Sequence, residues 1–234
     1  MRSVLHSGRV STHYQPKTSP YSSHSVLLSS LPADGEGRPL LDVGSGSGYL
    51  AAMLAARGFD VTAVERDVPD PGAFPANVRL VIADVDVGLP AFARPFDYIV
   101  CADVLEHLRD PLRALRELRE LLTPDGALIA SLPNSGNLYF RLTVLARRFP
   151  EHDRGLFDRT HLHYYTLDGW TKLLRAGGFA ITTIRPTAIP VELVFPRWGD
   201  ALLVRAAGRL CYDAARVWKT LFAYQFVACA RRSS

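Results

Sequence analysis

The segment LLDVGSGSGYL, residues 40–50, sets Asp42 near the end of an apolar run and then gives up side chains at Gly44, Gly46 and Gly48. Glycines in that pattern let a ligand approach the main chain, and the free N–H groups of a following helix face it. Two more acids close the next apolar runs: Glu65, 21 residues after Gly44, and Asp84. An acid at the first place suits the two hydroxyls of a ribose; one at the second can meet the exocyclic amine of an adenine. Asp42, Gly44, Ser45, Gly46, Glu65 and Asp84 are thus expected to hold an adenosine-containing cofactor. Two readings stand. Gly46-Ser-Gly48-Tyr-Leu-Ala51 matches the relaxed G-x-G-x-x-A turn of NAD(P)-dependent oxidoreductases. Asp42, however, would repel a diphosphate and attract a cationic cofactor.

Proton transfer near neutrality calls for histidine. His107 lies in ADVLEHLRDP, and His161 and His163 lie in EHDRGLFDRTHLHYYT (151–166) with Asp158, Tyr164 and Tyr165. A His oriented by an Asp can abstract a proton from an acceptor, which makes His107 and His161 the expected catalytic residues. The plainer alternatives are a histidine bonded to a backbone carbonyl and a loop whose polar side chains satisfy its own main chain. Glu151, His152, Asp153, Asp158, His161 and His163 are all able to ligate metals. HxH without an HExxH or comparable spacing does not specify a site, and no metal is expected.

These residues need strands to carry them. PLLDV (39–43), FDVTAVE (59–65), VRLVIAD (78–84), FDYIVCAD (96–103), GALIASLP (126–133), FAITTIRP (179–186) and LFAYQFVACA (221–230) read as strands. Helices are expected at YLAAMLAARG (49–58), after the Asp110-Pro111 start signal, at DGWTKLLRAGG (168–178) and near 200–219. Alternation of this kind predicts an α/β fold, a doubly wound and mostly parallel sheet with helices on both faces, whose ligands lie beyond the strands' carboxyl ends. Residues 1–24 read as a flexible arm and 25–234 as the domain. Within it, 134–166 is expected to form a substrate cap and 188–220 a helical insertion before the last strand. In that insertion Leu203, Ala207, Leu210, Ala214 and Val217 share one side, expected to pack on the domain. Arg205, Arg209 and Arg216 share another, expected to face solvent; peripheral membrane contact is the less favoured use of it.

Taken together, LLDVGSGSGYL, Glu65, Asp84 and FDYIVCADVLEHLRDP resemble class I S-adenosylmethionine-dependent methyltransferases, over about residues 38–186. ADVLEHLRDP is similar to the corresponding stretch of ubiquinone-type small-molecule O-methyltransferases. The resemblance implies a Rossmann-like, seven-stranded sheet whose last, antiparallel strand would be LFAYQFVACA. It implies S-adenosyl-L-methionine as cofactor, its methionine end in the glycine turn, its ribose on Glu65 and its adenine beside Asp84 and Val85. The main chain at Cys101–Ala102 would lie alongside, with His107 at the rim between cofactor and acceptor. Tyr21 and His24 would fold over the site, and Asp158, His163 and Tyr165 would contact the acceptor. The expected activity is methyl transfer to a small-molecule acceptor, free or linked to a lipid or sugar, at oxygen; a non-catalytic cofactor-binding protein is the other outcome.

Composition limits the alternatives. The 234 residues carry a net charge of +4, and the 27 basic residues form no dense block. CADVLEHL offers neither the proline nor the aromatic that stacks a flipped base, so nucleic acid is not an expected partner. Three scattered cysteines point to neither a disulfide framework nor a zinc site. With no run resembling a signal peptide or a membrane span, a cytoplasmic location is expected.

Overall fold

A computed structural model describes residues 19–68, 70, 72–191 and 202–233. Most of the expected arm (1–18) and the middle of the expected helical insertion (192–201) lie outside the described residues. Seven strands form one sheet: β1 (Pro39–Val43), β2 (Asp60–Glu65), β3 (Arg79–Ile82), β4 (Phe96–Ala102), β5 (Leu122–Pro133), β6 (Phe179–Pro186) and β7 (Gln225–Arg232). Their order is β3-β2-β1-β4-β5-β7-β6. Only β7 runs antiparallel to its neighbours, β5 and β6. The chain steps outward from β1 to β3, then crosses back to lay β4 on the other side of β1. A ligand crevice opens at such a reversal.

Side chains alternate across the sheet, so each strand supplies two cores. Leu41, Val43, Ile99, Cys101, Leu128, Ala130 and Phe226 face one layer, with α3 (Pro111–Leu121) and α5 (Leu167–Ala176) packed on it through Leu115, Leu118, Trp170 and Leu174. Leu40, Val61, Ala63, Val100, Ile129 and Val227 face the other, covered by α1 (Ser23–Leu28) and α2 (Tyr49–Ala56). Strands apolar on both faces are what a doubly covered sheet requires. At the start of α3 the Asp110 side chain accepts the Arg113 N–H at 2.9 Å, with Pro111 in the first turn, as expected. The first described helix starts before residue 25: the Ser22 hydroxyl caps α1 by accepting from the Ser25 N–H.

Four expectations change. β3 stops at Ile82, leaving Asp84 two residues beyond it. β5 starts at Leu122, which pairs with Phe96 before the register jumps to Ala127 opposite Tyr98. Pro124-Asp125-Gly126 therefore forms a bulge inside a strand. The last strand begins only at Gln225, after a short helix at Lys219–Phe222. Buried Asn134 and Asn137 explain the delay: both donate to the Ala223 carbonyl, at 2.8 and 2.9 Å, and the Asn134 N–H donates to the Tyr224 carbonyl at 3.1 Å. That main chain is claimed by asparagines before a sheet neighbour can pair with it.

The fourth change concerns α6 (Leu202–Val217), the longest described helix of the expected insertion. Its Leu203, Leu210 and Val217 side points outward, 83%, 72% and 89% exposed, and Gly208 and Ala215 are buried instead. On the domain side Tyr212 stacks on Tyr21 at 4.6 Å. Removing the Asn134 side chain leaves buried main-chain groups unpaired. Asn134→Ala is expected to cost about 2 to 4 kcal/mol in urea unfolding; a loss under about 0.5 kcal/mol would contradict the anchoring role.

Candidate active site

The turn after β1 is built by its backbone. Gly44, Gly46 and Gly48 have φ of +68°, +54° and +74°, where any side chain is strained. A Cβ on Gly44 would lie 2.6 Å from Val104 Cγ2, and one on Gly48 2.8 Å from the Ala73 carbonyl oxygen. At Gly46 nothing lies within 4 Å, so the turn is closed against the protein at both ends and open in its middle. The Gly44 and Ser45 N–H groups donate to the Val64 carbonyl, at 2.8 and 3.1 Å. The Gly46 N–H donates to Glu65 Oε2 at 2.7 Å, and the Arg66 N–H to Oε1 at 2.9 Å. Glu65 thus ties the turn to the end of β2, besides lying where a ribose is expected.

Asp42 lies beneath the turn, 1% exposed, and its Oδ2 has no hydrogen-bond partner among the described residues. Burial, and then the charge of Glu65, push its carboxyl up from 3.8 to about 7. A buried acid in this state is answered by a ligand carrying positive charge or N–H donors. The open glycine turn above it makes the same demand on shape, so the residues fit an aminoacyl-bearing cation. Asp84 Oδ1 accepts the Asp86 N–H at 2.8 Å, and the carbonyl of buried Val85 accepts from Arg113 at 2.7 Å. Burial, then Asp42 and Glu106, push the Cys101 thiol up, so it stays protonated and packs within β4. Ala102 follows it, half-buried at the strand end.

One residue past β4, Asp103 adopts a left-handed φ of +57°. Its N–H donates to Ser131 Oγ at 2.9 Å, and its Oδ1 accepts from Ser131 Oγ at 2.5 Å and Gln225 Nε2 at 2.8 Å. The chain then turns through Val104, which touches the glycine turn, into a single 3-10 turn at Leu105–His107. His107 Nδ1 lies 3.1 Å from the Thr160 carbonyl and 3.0 Å from Thr160 Oγ1. Thr160 Oγ1 is itself 2.6 Å from Asp158 Oδ1. The hydroxyl has one proton, and the carboxylate takes it. Both Thr160 oxygens therefore accept from His107 Nδ1–H, which leaves Nε2 of the neutral ring with its lone pair.

His161 stands beside it, ring centroids 4.8 Å apart, with its side chain 6% exposed and Nε2 3.9 Å from Glu106 Oε1. Burial, and then His107, lower its pKa to about 4, so it is neutral at physiological pH. Among the described residues one group of three possible metal ligands lies together, Glu106, His107 and His161, with their ligand atoms within 4.8 Å of one another. Glu151, His152 and Asp153 are not in it. The Leu162 and His163 N–H groups donate to the Glu106 main-chain oxygen, at 2.9 and 3.2 Å, which pins the cap to the exit of β4.

The other expected site residues are placed apart from this group. His163 Nε2 donates to the Leu108 carbonyl at 2.9 Å, and its ring stacks on Tyr165, which meets Trp170 edge-on. The plainer reading offered for His107, a ring bonded to a backbone carbonyl, describes His163 and is also met by His107, whose Nδ1 lies 3.1 Å from the Thr160 carbonyl. Tyr21 leans on α6 through Tyr212, and buried His24 meets Tyr49 edge-on at 6.3 Å. Thr160, Ser131 and Gln225 went unnoticed in the sequence. Thr160 had one faint signal, its place between Asp158 and His161; Gln225 had none. Asp42 yields a test. Its folded pKa lies above the unfolded 3.8, so the folded state keeps a proton that the unfolded chain releases, and stability falls between pH 3.8 and about 7. Asp42→Asn is expected to stabilise the ligand-free protein by about 2 to 4 kcal/mol at pH 8 and by little at pH 4, in urea titrations.

Comparison with known proteins agrees with this fold. A family profile described as a methyltransferase domain matches residues 20–184. The ubiquinone biosynthesis O-methyltransferase of Caulobacter sp. (strain K31) is 37% identical over 106 residues, covering 42% of this chain and 42% of that enzyme. Its namesake from Coxiella burnetii (strain RSA 331 / Henzerling II) is 31% identical over 158 residues, covering 61% of this chain and 67% of its own. The chain thus spans less than half of the first relative and about two thirds of the second. A solved S-adenosylmethionine dependent methyltransferase from Mesorhizobium loti superposes with a TM-score of 0.60 at 17% identity, over 90% of this chain and 98% of that one. The Burkholderia thailandensis 1,6-didemethyltoxoflavin-N1-methyltransferase, solved with S-adenosylhomocysteine bound, gives 0.58 at 20% identity, over 91% and 77%. Those two structures speak for the fold alone. With the profile covering well over half of its length, the chain belongs to the methyltransferase-domain family, among the class I S-adenosylmethionine-dependent enzymes that its glycine turn resembles.

Proposed function

We propose that this protein transfers a methyl group from S-adenosylmethionine to an oxygen of a small-molecule acceptor, with His107 as the base. The observation that carries the proposal is the Asp158–Thr160 clamp on His107 Nδ1. It fixes the tautomer, turns the ring so that Nε2 is the basic atom, and stabilises the imidazolium that forms when a hydroxyl gives up its proton. Asp42 and the Gly44–Gly46 main chain would hold the methionine end of the cofactor, Glu65 the ribose, and Asp84 with Val85 the adenine. Cys101 and Ala102 would line its side. The bound cofactor supplies a sulfonium methyl group, and the protein's part is then position and proton removal. The printed names of the Caulobacter and Coxiella relatives support oxygen as the acceptor atom. Phe140, Phe149, Phe157 and Tyr164 pack ring to ring in the cap and support an apolar or aromatic acceptor.

A second reading has its own observation. Glu106, His107 and His161 make a two-histidine, one-carboxylate donor set. A divalent cation there would activate an acceptor hydroxyl as a Lewis acid.

The deciding experiment follows methyl transfer from labelled S-adenosylmethionine to a panel of phenols, catechols and alcohols, before and after chelation. The base reading expects activity that chelation leaves intact; loss restored by added magnesium, manganese or zinc favours the metal. Cofactor binding without turnover on any acceptor would leave a binding protein. His107→Ala is expected to lower kcat by about 10² to 10³ with S-adenosylhomocysteine affinity within about twofold. Thr160→Val is expected to lower kcat by roughly tenfold, because the His107 ring loses the hydroxyl that orients it. Equal activity in both variants would return His107 to a structural role. Glu65→Ala is expected to weaken S-adenosylhomocysteine binding by about 1 to 3 kcal/mol in calorimetry, since it removes charge-assisted bonds and loosens the turn.

A further inference from the structure

Among the described residues no helix is long and apolar enough to cross a membrane. α6 nevertheless presents its apolar side to the outside. Leu203, Leu210 and Val217 recur every seven residues along that side, with Leu202 (82% exposed) and Trp218 (58%) at its two ends. Ala206 and Ala207 are exposed between them. Facing the domain are buried Gly208 and Ala215 and half-buried Val204, Cys211 and Tyr212. Arg205, Arg209 and Arg216, all exposed, form a flank of the aliphatic stripe, and Asp213 is the one acid in the helix. Grouped exposed aliphatics mark a surface that something covers.

We propose that α6 docks this protein on the surface of an anionic lipid bilayer. Leu203, Leu210 and Val217 enter the acyl boundary, Trp218 sits at headgroup depth, and the three arginines reach back to lipid phosphates. Charge selects this occupant. A second copy would bury the same patch against itself and bring two sets of three arginines together. The one acid within α6, Asp213, already lies 3.8 Å from Arg209. An anionic bilayer offers apolar depth beside a layer of phosphates, matching both parts of the helix. The net charge of +4 acts in the same direction. Reading the helix as packed through its leucines made membrane contact the weaker alternative; the observed orientation reverses that order. The inference does not depend on which acceptor is methylated.

The test is co-sedimentation of the full chain with vesicles of phosphatidylcholine, alone or with phosphatidylglycerol added. Partitioning onto the anionic vesicles is expected to exceed that onto neutral ones by about tenfold at low ionic strength and to fall as salt rises. Two triple variants, Leu203→Ser/Leu210→Ser/Val217→Ser and Arg205→Glu/Arg209→Glu/Arg216→Glu, are each expected to weaken it by about tenfold or more. Their melting temperatures should stay near the parent's, because the altered side chains are exposed. A blue shift of tryptophan emission on anionic vesicles, absent in Trp218→Phe, would place the indole in the interface. No sedimentation at low salt, or equal sedimentation of parent and both variants, overturns the proposal. So does a concentration-dependent dimer that Leu210→Ser dissociates without any vesicle binding.

Discussion

The carboxylate of Asp103 is the joint on which the site depends. It sits at the carboxyl end of a central strand in a left-handed conformation, held by a hydroxyl from β5 and an amide from β7. Those bonds reach across two neighbouring strands, so the sheet itself imposes the turn. From it follow the contact of Val104 with the glycine turn, the position of His107 and the main-chain oxygen of Glu106 that receives the cap. A strained residue placed over three strands, with its partners buried, is a rigid way to join the glycine turn to the 151–166 segment.

The cradle itself is held at a cost to the fold. Asp42 could be exchanged for an apolar residue with a gain in stability, and the turn above it uses three left-handed glycines where one would reverse the chain. Both features are poor choices for packing and good ones for a cationic ligand that brings its own hydrogen bonds. Glu65 reduces the cost, because it engages the Gly46 N–H in the same geometry that presents its carboxylate to the crevice. On the opposite rim, two adjacent imidazoles sit in different surroundings: His161 is a buried neutral ring, and His107 is held through Nδ1 by Thr160.

Away from the site, polar anchors displace regular structure wherever the two compete. Asn134 and Asn137 take the carbonyls before β7, and His163 takes the Leu108 carbonyl. α6 shows the reverse situation. Gly208 and Ala215 are its buried residues, and its large aliphatic residues are left outward beside the arginines.

Much of this was legible in the residues alone. Apolar runs at regular spacing gave seven strands and the sense of the sheet, because a strand covered on both faces must be apolar throughout. The glycines and strand-end acids marked where a cofactor is expected, since those features serve local backbone geometry and lie close together in sequence. His107 and His161 were recognisable as a chemistry-bearing pair. That Thr160 contacts His107 while Glu106 lies beside His161 was not legible, because these partners meet only after residues 151–166 fold onto the exit of β4. The role of Asp103 was hidden for the same reason, its partners lying 28 and 122 residues away. The periodicity of α6 correctly placed its leucines on one side; which side faces the domain depends on tertiary contacts such as the Tyr21–Tyr212 stack, whose partners lie far apart in sequence. Sequence specifies patterns that neighbouring residues must satisfy, whereas side-chain partners separated along the chain are chosen by packing.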